Sequence, residues 1–281
     1  IAIFKRTQNV DFKFKDKVKF YFGNRNEIAD LEKAINDFKP EKVIDFVCFE
    51  PFQADQISSL ILNKVNQYIF VSTIDVYGYP LSCIPMKEED KMTQTTSSYA
   101  ANKRGCEELL KKKEKEKGLP LTIVRPTYSF GAKSGMLSFF EWDGMRFQVP
   151  KIRAGLPILV PGDGNTIIHT SCASNTGEMV ARIVEDTDKT IGKSYNCGHD
   201  STITFDDYIQ IIGSQIGIEP ILVHVPFNVL LSIDSEEIKN SFIPSLTRFN
   251  MSFSIEKFKK DFPDFKWKLS LEEGVTQYLS W

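Results

Sequence analysis

Three side chains able to handle protons, Tyr99, Lys103 and Thr73, are spaced so that they could share one site. Residues four apart lie on one face of a helix, which would place the Tyr99 phenol beside the Lys103 ammonium. A nearby cation favours a phenolate and brings a tyrosine base into a useful pKa range near neutral pH. The spacing therefore predicts proton transfer at Tyr99. The alternative interpretation is a half-buried aromatic and a solvated lysine on an amphipathic helix.

Further motifs occur around these residues in a fixed order. They are Ser72-Thr73 with Val76-Tyr77-Gly78, Tyr99 with Lys103, Arg125-Pro126-Thr127 with Gly131, Pro161-Gly162-Asp163-Gly164, and the stretch from Asn250 to Trp281. In this order and spacing the chain resembles the extended short-chain dehydrogenases/reductases, the nucleotide-sugar epimerases and dehydratases, over nearly its whole length. The resemblance implies that Tyr99 is the catalytic acid/base, that Lys103 holds the cofactor ribose and tunes Tyr99, and that Thr73 hydrogen-bonds the reacting oxygen.

The composition argues against several classes of protein. The 35 basic and 37 acidic residues give a net charge of -2, so no overall charge draws the chain toward nucleic acid. The five cysteines are scattered without a CxxC pair, which fits reduced thiols better than a disulfide framework or a zinc site. No apolar run approaches the roughly 20 residues needed to span a bilayer. We therefore expect a cytoplasmic protein without a metal site or a membrane partner.

Strands and helices alternate through the first half of the chain. The hydrophobic pattern predicts strands at 1–4, 18–22, 43–49, 68–71 and 121–125, and helices at 28–38, 53–64, 98–117, 205–216 and 254–262. Such alternation indicates an α/β fold with a doubly wound parallel sheet of the Rossmann type. The resemblance implies a smaller C-terminal substrate lobe interleaved with returns to the sheet. We expect a dinucleotide-binding domain at 1–131 and mainly substrate lobe at 132–281.

The start of the expected dinucleotide-binding domain departs from the family. Such a sheet begins with a strand and a glycine-rich turn whose backbone amides bind the pyrophosphate, and this turn is not found in the sequence. The first two predicted strands match the second and third strands of the family. Because the first family strand lies centrally in the order 3-2-1-4-5-6, we expect that a segment of about 20 to 30 residues is missing before Ile1. A cofactor-free relative is the alternative.

The resemblance also assigns residues to the cofactor. A basic residue at the end of the second family strand suits the extra phosphate of NADP, and here Lys5 is followed by Arg6. This pair favours NADP over NAD, although it fits an exposed strand end equally well. Asn24 stands where the family usually has an aspartate beside the adenine. The remaining predicted cofactor contacts are Val47, Cys48 and Phe49, which would close the strand at 43–49 and line the cofactor groove, and Pro126.

The residues after the predicted catalytic threonine limit the reactions that the sequence favours. Sugar-nucleotide 4,6-dehydratases of this family have an Asp-Glu pair there, whereas this chain has Ile74-Asp75, which argues against that dehydration. Asp75 could still act on a proton, or it could be a polar residue at a strand end. His169, without identified partners, is expected to be structural. The predicted substrate contacts are Thr73, Asp75 and Thr127.

These observations lead to one main functional hypothesis and two alternatives. The main one is an NAD(P)-dependent oxidoreductase or epimerase that acts by hydride transfer on a nucleotide-linked sugar or a similar hydroxyl or carbonyl substrate. The resemblance also implies a homodimer formed through the helices at 53–64 and 98–117. The alternatives are an RNA-binding relative of the same fold and a non-catalytic redox sensor, and the near-neutral charge disfavours the first of these.

Overall fold

The structure, a computed structural model, describes residues 1–8, 15–131, 135–137, 142–143 and 148–280. Its strands are β1 (Ala2–Lys5), β2 (Lys19–Phe22), β3 (Lys42–Asp45), β4 (Gln67–Val71), β5 (Leu121–Pro126), β6 (Tyr128–Phe130), β7 (Met136–Leu137), β8 (Trp142–Asp143), β9 (Ile158–Pro161), β10 (Ile167–Ile168), β11 (Thr170–Cys172), β12 (Ser194–Cys197), β13 (Ile203–Thr204) and β14 (Leu222–Val225). Its helices are α1 (Ile28–Phe38), α2 (Pro51–Ile61), α3 (Ser98–Lys117), α4 (Gln148–Arg153), α5 (Ala173–Glu185), α6 (Thr187–Thr190), α7 (Phe205–Ile216), α8 (Phe227–Ser232), α9 (Glu236–Lys239), α10 (Glu256–Asp261) and α11 (Leu271–Leu279).

The chain divides into two compact units that interleave along the sequence. The first unit comprises Ile1–Ser72, Ala101–Ile123 and Val184–Lys193, and the second comprises Thr73–Ala100, Val124–Ile183 and Ser194–Trp281. Parallel strands joined by helices confirm the predicted α/β class with a parallel sheet. The predicted domain division at residue 131 stays a prediction.

The first unit contains two parallel sheets. β1 pairs with β2, and β3 pairs with β4, beside which the first half of β5 continues the sheet. Every residue of β4 is buried, and Tyr68 and Phe70 pack with Ile57 of α2 and Leu110 of α3 in one apolar core. In the described part of this unit β1 and β3 do not pair.

The described part of the second unit contains several short strand pairs and a larger apolar core. β12 lies beside the second half of β5, β6 is parallel to β11, β14 is parallel to β9, and β10 is antiparallel to β13. Tyr77, Phe130, Phe205 and Val275 are fully buried in its core. These strands and their core support the loops that carry the candidate site.

Most predicted elements agree with the structure. The helices predicted at 28–38, 98–117 and 205–216 are confirmed at both ends, and the elements predicted at 1–4, 18–22, 68–71, 121–125 and 254–262 are confirmed with shifts of one or two residues. The strand predicted at 43–49 is wrong in its second half, because β3 ends at Asp45. The Asp45 carboxylate accepts two bonds from Arg25 (2.7 and 3.1 Å) and one from the Val47 N–H (3.3 Å), so side-chain contacts replace the strand ladder there.

The next helix begins earlier than predicted, at Pro51 instead of residue 53, and ends at Ile61 instead of residue 64. A capping box starts it, because Glu50 binds the backbone N–H of Gln53 and the Gln53 side chain binds the N–H of Glu50. Proline suits the first helical turn, where its missing N–H is no loss. The apolar residues just before this cap therefore belong to a loop.

The five cysteines carry free thiols, and Cys83 is exposed while the other four are buried. Within the described residues, no helix combines the length and the apolar character that crossing a membrane would require.

Candidate active site

Thr73 and Asp75 lie in a tight turn directly after β4. Thr73 is extended and caps the 3₁₀ turn Ile74–Tyr77 by accepting a bond from the Asp75 N–H (3.2 Å), and its hydroxyl in turn donates to Asp75 Oδ2 (3.3 Å). Gly78 ends the turn with φ +74°, and a Cβ at this position would lie 2.3 Å from the Gln94 carbonyl oxygen. Only glycine fits there, so the chain fixes the hydroxyl and the carboxylate side by side.

Two tyrosines hold the Asp75 carboxylate from the other side. The Tyr128 hydroxyl donates to Asp75 Oδ1 at 2.6 Å, the Tyr79 hydroxyl lies 3.3 Å from the same oxygen, and the two hydroxyls are 2.9 Å apart. Burial raises the pKa of Asp75, while the bonds from Tyr128, Tyr79 and Thr73 act in the opposite direction. Burial and then the Asp75 charge raise the pKa of both phenols well above the ordinary value, so both remain donors at neutral pH.

Tyr99 lies in the first turn of α3 and is 42% exposed. Its phenol is hydrogen-bonded to Thr73. Partial burial, followed by the Asp75 carboxylate, raises the pKa of Tyr99 to about 12. The expectation of a pKa lowered toward neutrality is therefore wrong for this structure, because the charge that acts on the phenol is an anion. Tyr99 carries its proton at neutral pH.

Lys103 follows one turn later in α3, and its contacts lie in the first unit. Its Nζ donates to the carbonyl oxygens of Cys48 (2.8 Å) and Val71 (2.5 Å), and it lies over the rings of Phe70 and Phe49. The residue is 1% exposed, and burial lowers the pKa of its amine. Two carbonyls and two aromatic faces hold this cation in place.

The other predicted cofactor residues have different surroundings. Asn24 sits in the loop after β2, where its side chain accepts a bond from the Asn26 N–H (3.1 Å). Val47 and Phe49 are half exposed in the loop after β3, which suits a groove lining. Cys48 is fully buried and forms part of the core of the first unit, and its contact with a cofactor stays a prediction. A hydrogen bond with Cys106 and burial raise the pKa of the Cys48 thiol.

The first unit fits part of a nicotinamide dinucleotide. An ammonium has three N–H donors, and two of those on Lys103 reach carbonyl oxygens, which leaves one donor for a ligand hydroxyl. Lys5 ends β1 half-buried and Arg6 follows it exposed, as a phosphate contact requires. Among the described residues of this unit there is no glycine-rich turn between a strand and a helix, so the pyrophosphate contacts have no counterpart here. Pro126 ends β5, half-buried.

The structure buries Thr127, and two residues beside Asp75 were not predicted from the sequence. Thr127 is 4% exposed, and a Cβ on the neighbouring Gly198 would lie 2.6 Å from its side chain. Its side chain is packed under the Gly198 backbone, and its contact with substrate stays a prediction. Tyr79 and Tyr128 were missed, and only the strand position of Tyr128, two residues after Pro126, hinted at the site.

His169 is a structural histidine, in agreement with the sequence. Its Nδ1 accepts a bond from the Phe253 N–H (3.2 Å), so the proton resides on Nε2, which donates to the His199 carbonyl oxygen (2.6 Å). The side chain is 2% exposed, and burial lowers its pKa to about 4. The imidazole is thus neutral in the folded chain.

This histidine predicts a loss of stability in mild acid. The pKa is about 4 in the folded chain and about 6.5 when unfolded, so the unfolded state binds the extra proton between these values. The contribution of His169 is complete above pH 6.5 and is lost as the pH falls toward 4, by up to about 3 kcal/mol. Urea unfolding at several pH values should show a shallower pH dependence for His169→Gln than for the wild type. Equal pH dependence in the two proteins would contradict a neutral buried imidazole.

The sequence of this chain is similar to a known family and to a curated protein. The sequence pattern of the family described as "NAD dependent epimerase/dehydratase family" matches residues 1–198. A curated relative, UDP-N-acetyl-alpha-D-glucosaminuronate decarboxylase of Bacillus cytotoxicus, is 30% identical over 234 residues, which are 78% of this chain and 64% of that protein. The chain thus spans less than two thirds of the length of this relative.

Solved structures show the same fold. UDP-glucose 4-epimerase of Thermus thermophilus, in complex with NAD, matches 99% of this chain and 89% of its own with a TM-score of 0.72 and 16% identity. dTDP-glucose 4,6-dehydratase of Bacillus anthracis, also in complex with NAD, matches 94% of this chain and 79% of its own with a TM-score of 0.71 and 18% identity.

Proposed function

Since the chain belongs to the NAD dependent epimerase/dehydratase family, we propose that it is a nicotinamide-dependent enzyme that oxidises or epimerises a nucleotide-linked sugar, with Tyr99 as its acid/base. The observation that carries the proposal is the phenol of Tyr99, half exposed in the first turn of α3 and hydrogen-bonded to Thr73. A catalytic acid/base must be reachable by substrate and fixed by a second polar group, and Tyr99 meets both requirements.

Lys103 and Tyr99 are proposed to have different roles because one is a cation and the other a protonated phenol. When bound, the nicotinamide supplies the site that accepts and returns a hydride. Lys103 is a fixed cation whose remaining donor suits a ribose hydroxyl, and it is proposed to hold the cofactor. Tyr99 is protonated at neutral pH, so it gives its proton directly to a carbonyl oxygen that becomes a hydroxyl. In the opposite direction it needs an acceptor for that proton.

The proposed substrate class rests on the name of a curated relative, and the proposed cofactor rests on two basic residues at the end of β1. The curated relative is named for a UDP-linked sugar acid, which supports a nucleotide-linked sugar as the substrate. Lys5 and Arg6 at the end of β1 favour NADP, while two solved structures of the same fold contain NAD. Ile74 stands where a 4,6-dehydratase has an acid, so that elimination is not proposed. We further propose a homodimer in which α2 and α3 meet their counterparts.

The test begins with whatever the purified full chain has bound. Mass spectrometry after denaturation is expected to release NADP or NAD, and UDP-sugars added with either nucleotide should give a turnover seen in the nicotinamide absorbance. The stronger response of the two identifies the cofactor. Protein that binds neither nucleotide and converts no sugar would overturn the proposal, and salt-dependent affinity for RNA in such a sample would favour the RNA-binding alternative.

A further inference from the structure

The Asp75 carboxylate is held mainly through one of its two oxygens. Its Oδ1 accepts the Tyr128 proton at 2.6 Å and lies 3.3 Å from the Tyr79 hydroxyl, whereas Oδ2 accepts a longer bond of 3.3 Å from the Thr73 hydroxyl. A hydroxyl donor at about 2.5 to 2.7 Å from an ionised oxygen forms a charge-assisted bond, which is roughly twice as strong as a bond between neutral groups. The bond from Tyr128 is therefore the strongest of these three.

The Tyr128 phenol has a single proton, and its direction also fixes that of Tyr79. Because this proton goes to Asp75, the 2.9 Å contact between the two phenols runs from the Tyr79 hydroxyl to the Tyr128 oxygen. Hydrogen bonds in such a chain polarise one another. The Tyr79 hydroxyl thus strengthens the bond that Tyr128 donates to Asp75.

Tyr128 is itself fixed by the strand that carries it. Its backbone N–H donates to the His169 carbonyl oxygen (3.3 Å), and its carbonyl oxygen accepts a bond from the Thr170 hydroxyl (2.7 Å). The side chain is 4% exposed and packs in the core of the second unit, to which Asp75 also belongs. Asp75 lies in a turn, and the torsion that rotates its carboxyl group is soft, with broad minima. The strand therefore provides an anchor that the Asp75 side chain lacks by itself.

We propose that Tyr128 is a positioning residue of the candidate site, which holds the Asp75 carboxylate against the Thr73 hydroxyl. A carboxyl group is planar, so a bond that fixes Oδ1 also fixes the direction in which Oδ2 points. Oδ2 binds Thr73 with one lone pair, and its second lone pair suits a hydroxyl of the substrate. Asp75 is only partly buried, as a substrate contact requires. The inference rests on the proposed function, because it explains how the turn after β4 is held in place for the substrate.

Removing the Tyr128 hydroxyl should change the ionisation of Asp75 in a defined direction. Burial raises the pKa of Asp75, and the bond from Tyr128 is the foremost of the bonds that lower it. The titratable groups that face Asp75 in the described chain are three phenols, those of Tyr79 from the following loop, Tyr128 from β6 and Tyr99 from α3. All three are uncharged at neutral pH, so a carboxylate without its strongest donor takes up a proton at a higher pH.

A titration of Asp75 tests the proposal without cofactor or substrate. Carboxyl ¹³C NMR of aspartate-labelled protein, with the Asp75 signal assigned by Asp75→Asn, should place the Asp75 midpoint about one pH unit higher in Tyr128→Phe than in the wild type. Tyr195→Phe is the matched control, because this phenol also donates at 2.6 Å to a carboxylate, that of Asp261 in α10. The control should leave the Asp75 midpoint unchanged. Equal midpoints in Tyr128→Phe and the wild type would overturn the positioning role.

Turnover separates positioning from stability. With a UDP-sugar that the wild type converts, Tyr128→Phe should lower kcat/KM about 10-fold on the acidic side of the pH profile, because a limb of unit slope moves by about one pH unit. The loss should shrink as the pH rises and Asp75 regains its charge. In an Asp75→Asn background the same change should alter kcat/KM less than about 2-fold, since both residues act through one carboxylate.

Two other outcomes have distinct meanings. A tyrosine that only stabilises the fold would lower the rate by the same factor at every pH and in both backgrounds, and this result would contradict the proposal. A wild type that converts no sugar would overturn the proposed function instead. The NMR titration would then still decide whether Tyr128 holds Asp75.

Discussion

Tyr99→Phe is expected to lower kcat/KM for the sugar substrate by about 10²- to 10⁴-fold. The change removes one phenol oxygen and its proton and leaves the ring, which lies half exposed at the start of α3. The proton that Tyr99 carries at neutral pH disappears with it, so a substrate oxygen can no longer receive it. The loss corresponds to about 3 to 5 kcal/mol of transition-state stabilisation. Initial rates over a range of substrate concentrations measure it.

A second tyrosine provides the control for this variant. Tyr21→Phe removes the same atom from a phenol that binds Asp37 next to β1, outside the candidate site, and its kcat/KM should equal that of the wild type. Circular dichroism and urea unfolding should show both variants folded, since Tyr99 contributes little buried surface. Full activity in Tyr99→Phe would exclude the phenol as the acid/base and with it the proposed chemistry.

Local periodicity explains what could be predicted from the sequence. The helices α1 and α7 were placed at their observed ends because their apolar residues repeat at helical spacing over 11 and 12 residues. The end of β3 was not predicted correctly, because it depends on the pairing of Asp45 with Arg25, a residue 20 positions earlier. A contact of that separation leaves no local pattern in the sequence.

In the candidate site, too, local spacing could be predicted from the sequence and long-range contacts could not. The position of Tyr99 and Lys103 on one helix follows from their spacing, but the direction of the Tyr99 pKa does not. That direction depends on Asp75 and on partial burial, and Asp75 is in turn held by Tyr128, 53 positions away. Motif spacing therefore located the candidate site residues on one helix, whereas the charges that act on them could be read only from the fold.

Arg125 belongs to the Arg125-Pro126-Thr127 motif, and the sequence indicated no role for this arginine. Its contacts in the structure indicate that it stabilises the fold. Its side chain is fully buried, its Nη1 donates to the Tyr77 hydroxyl (2.7 Å) and the Glu88 carbonyl oxygen (3.2 Å), and its guanidinium lies 4.8 Å from the Tyr77 ring centre. The Tyr77 hydroxyl in turn donates to Asn196 Oδ1 (2.7 Å). Removing the guanidinium would leave the Tyr77 oxygen and a carbonyl buried without this donor.

Arg125→Met is therefore expected to lower the free energy of unfolding by about 3 kcal/mol. Methionine fills much of the volume but cannot donate to either oxygen, and loss of a buried charged donor costs more than loss of an exposed one. Urea unfolding measures the change as a lower midpoint with an unchanged slope. Arg153→Met, at an exposed arginine at the end of α4, should stay within about 0.5 kcal/mol of the wild type. Equal urea midpoints for the two variants would contradict a stabilising role for the buried hydrogen bonds of Arg125.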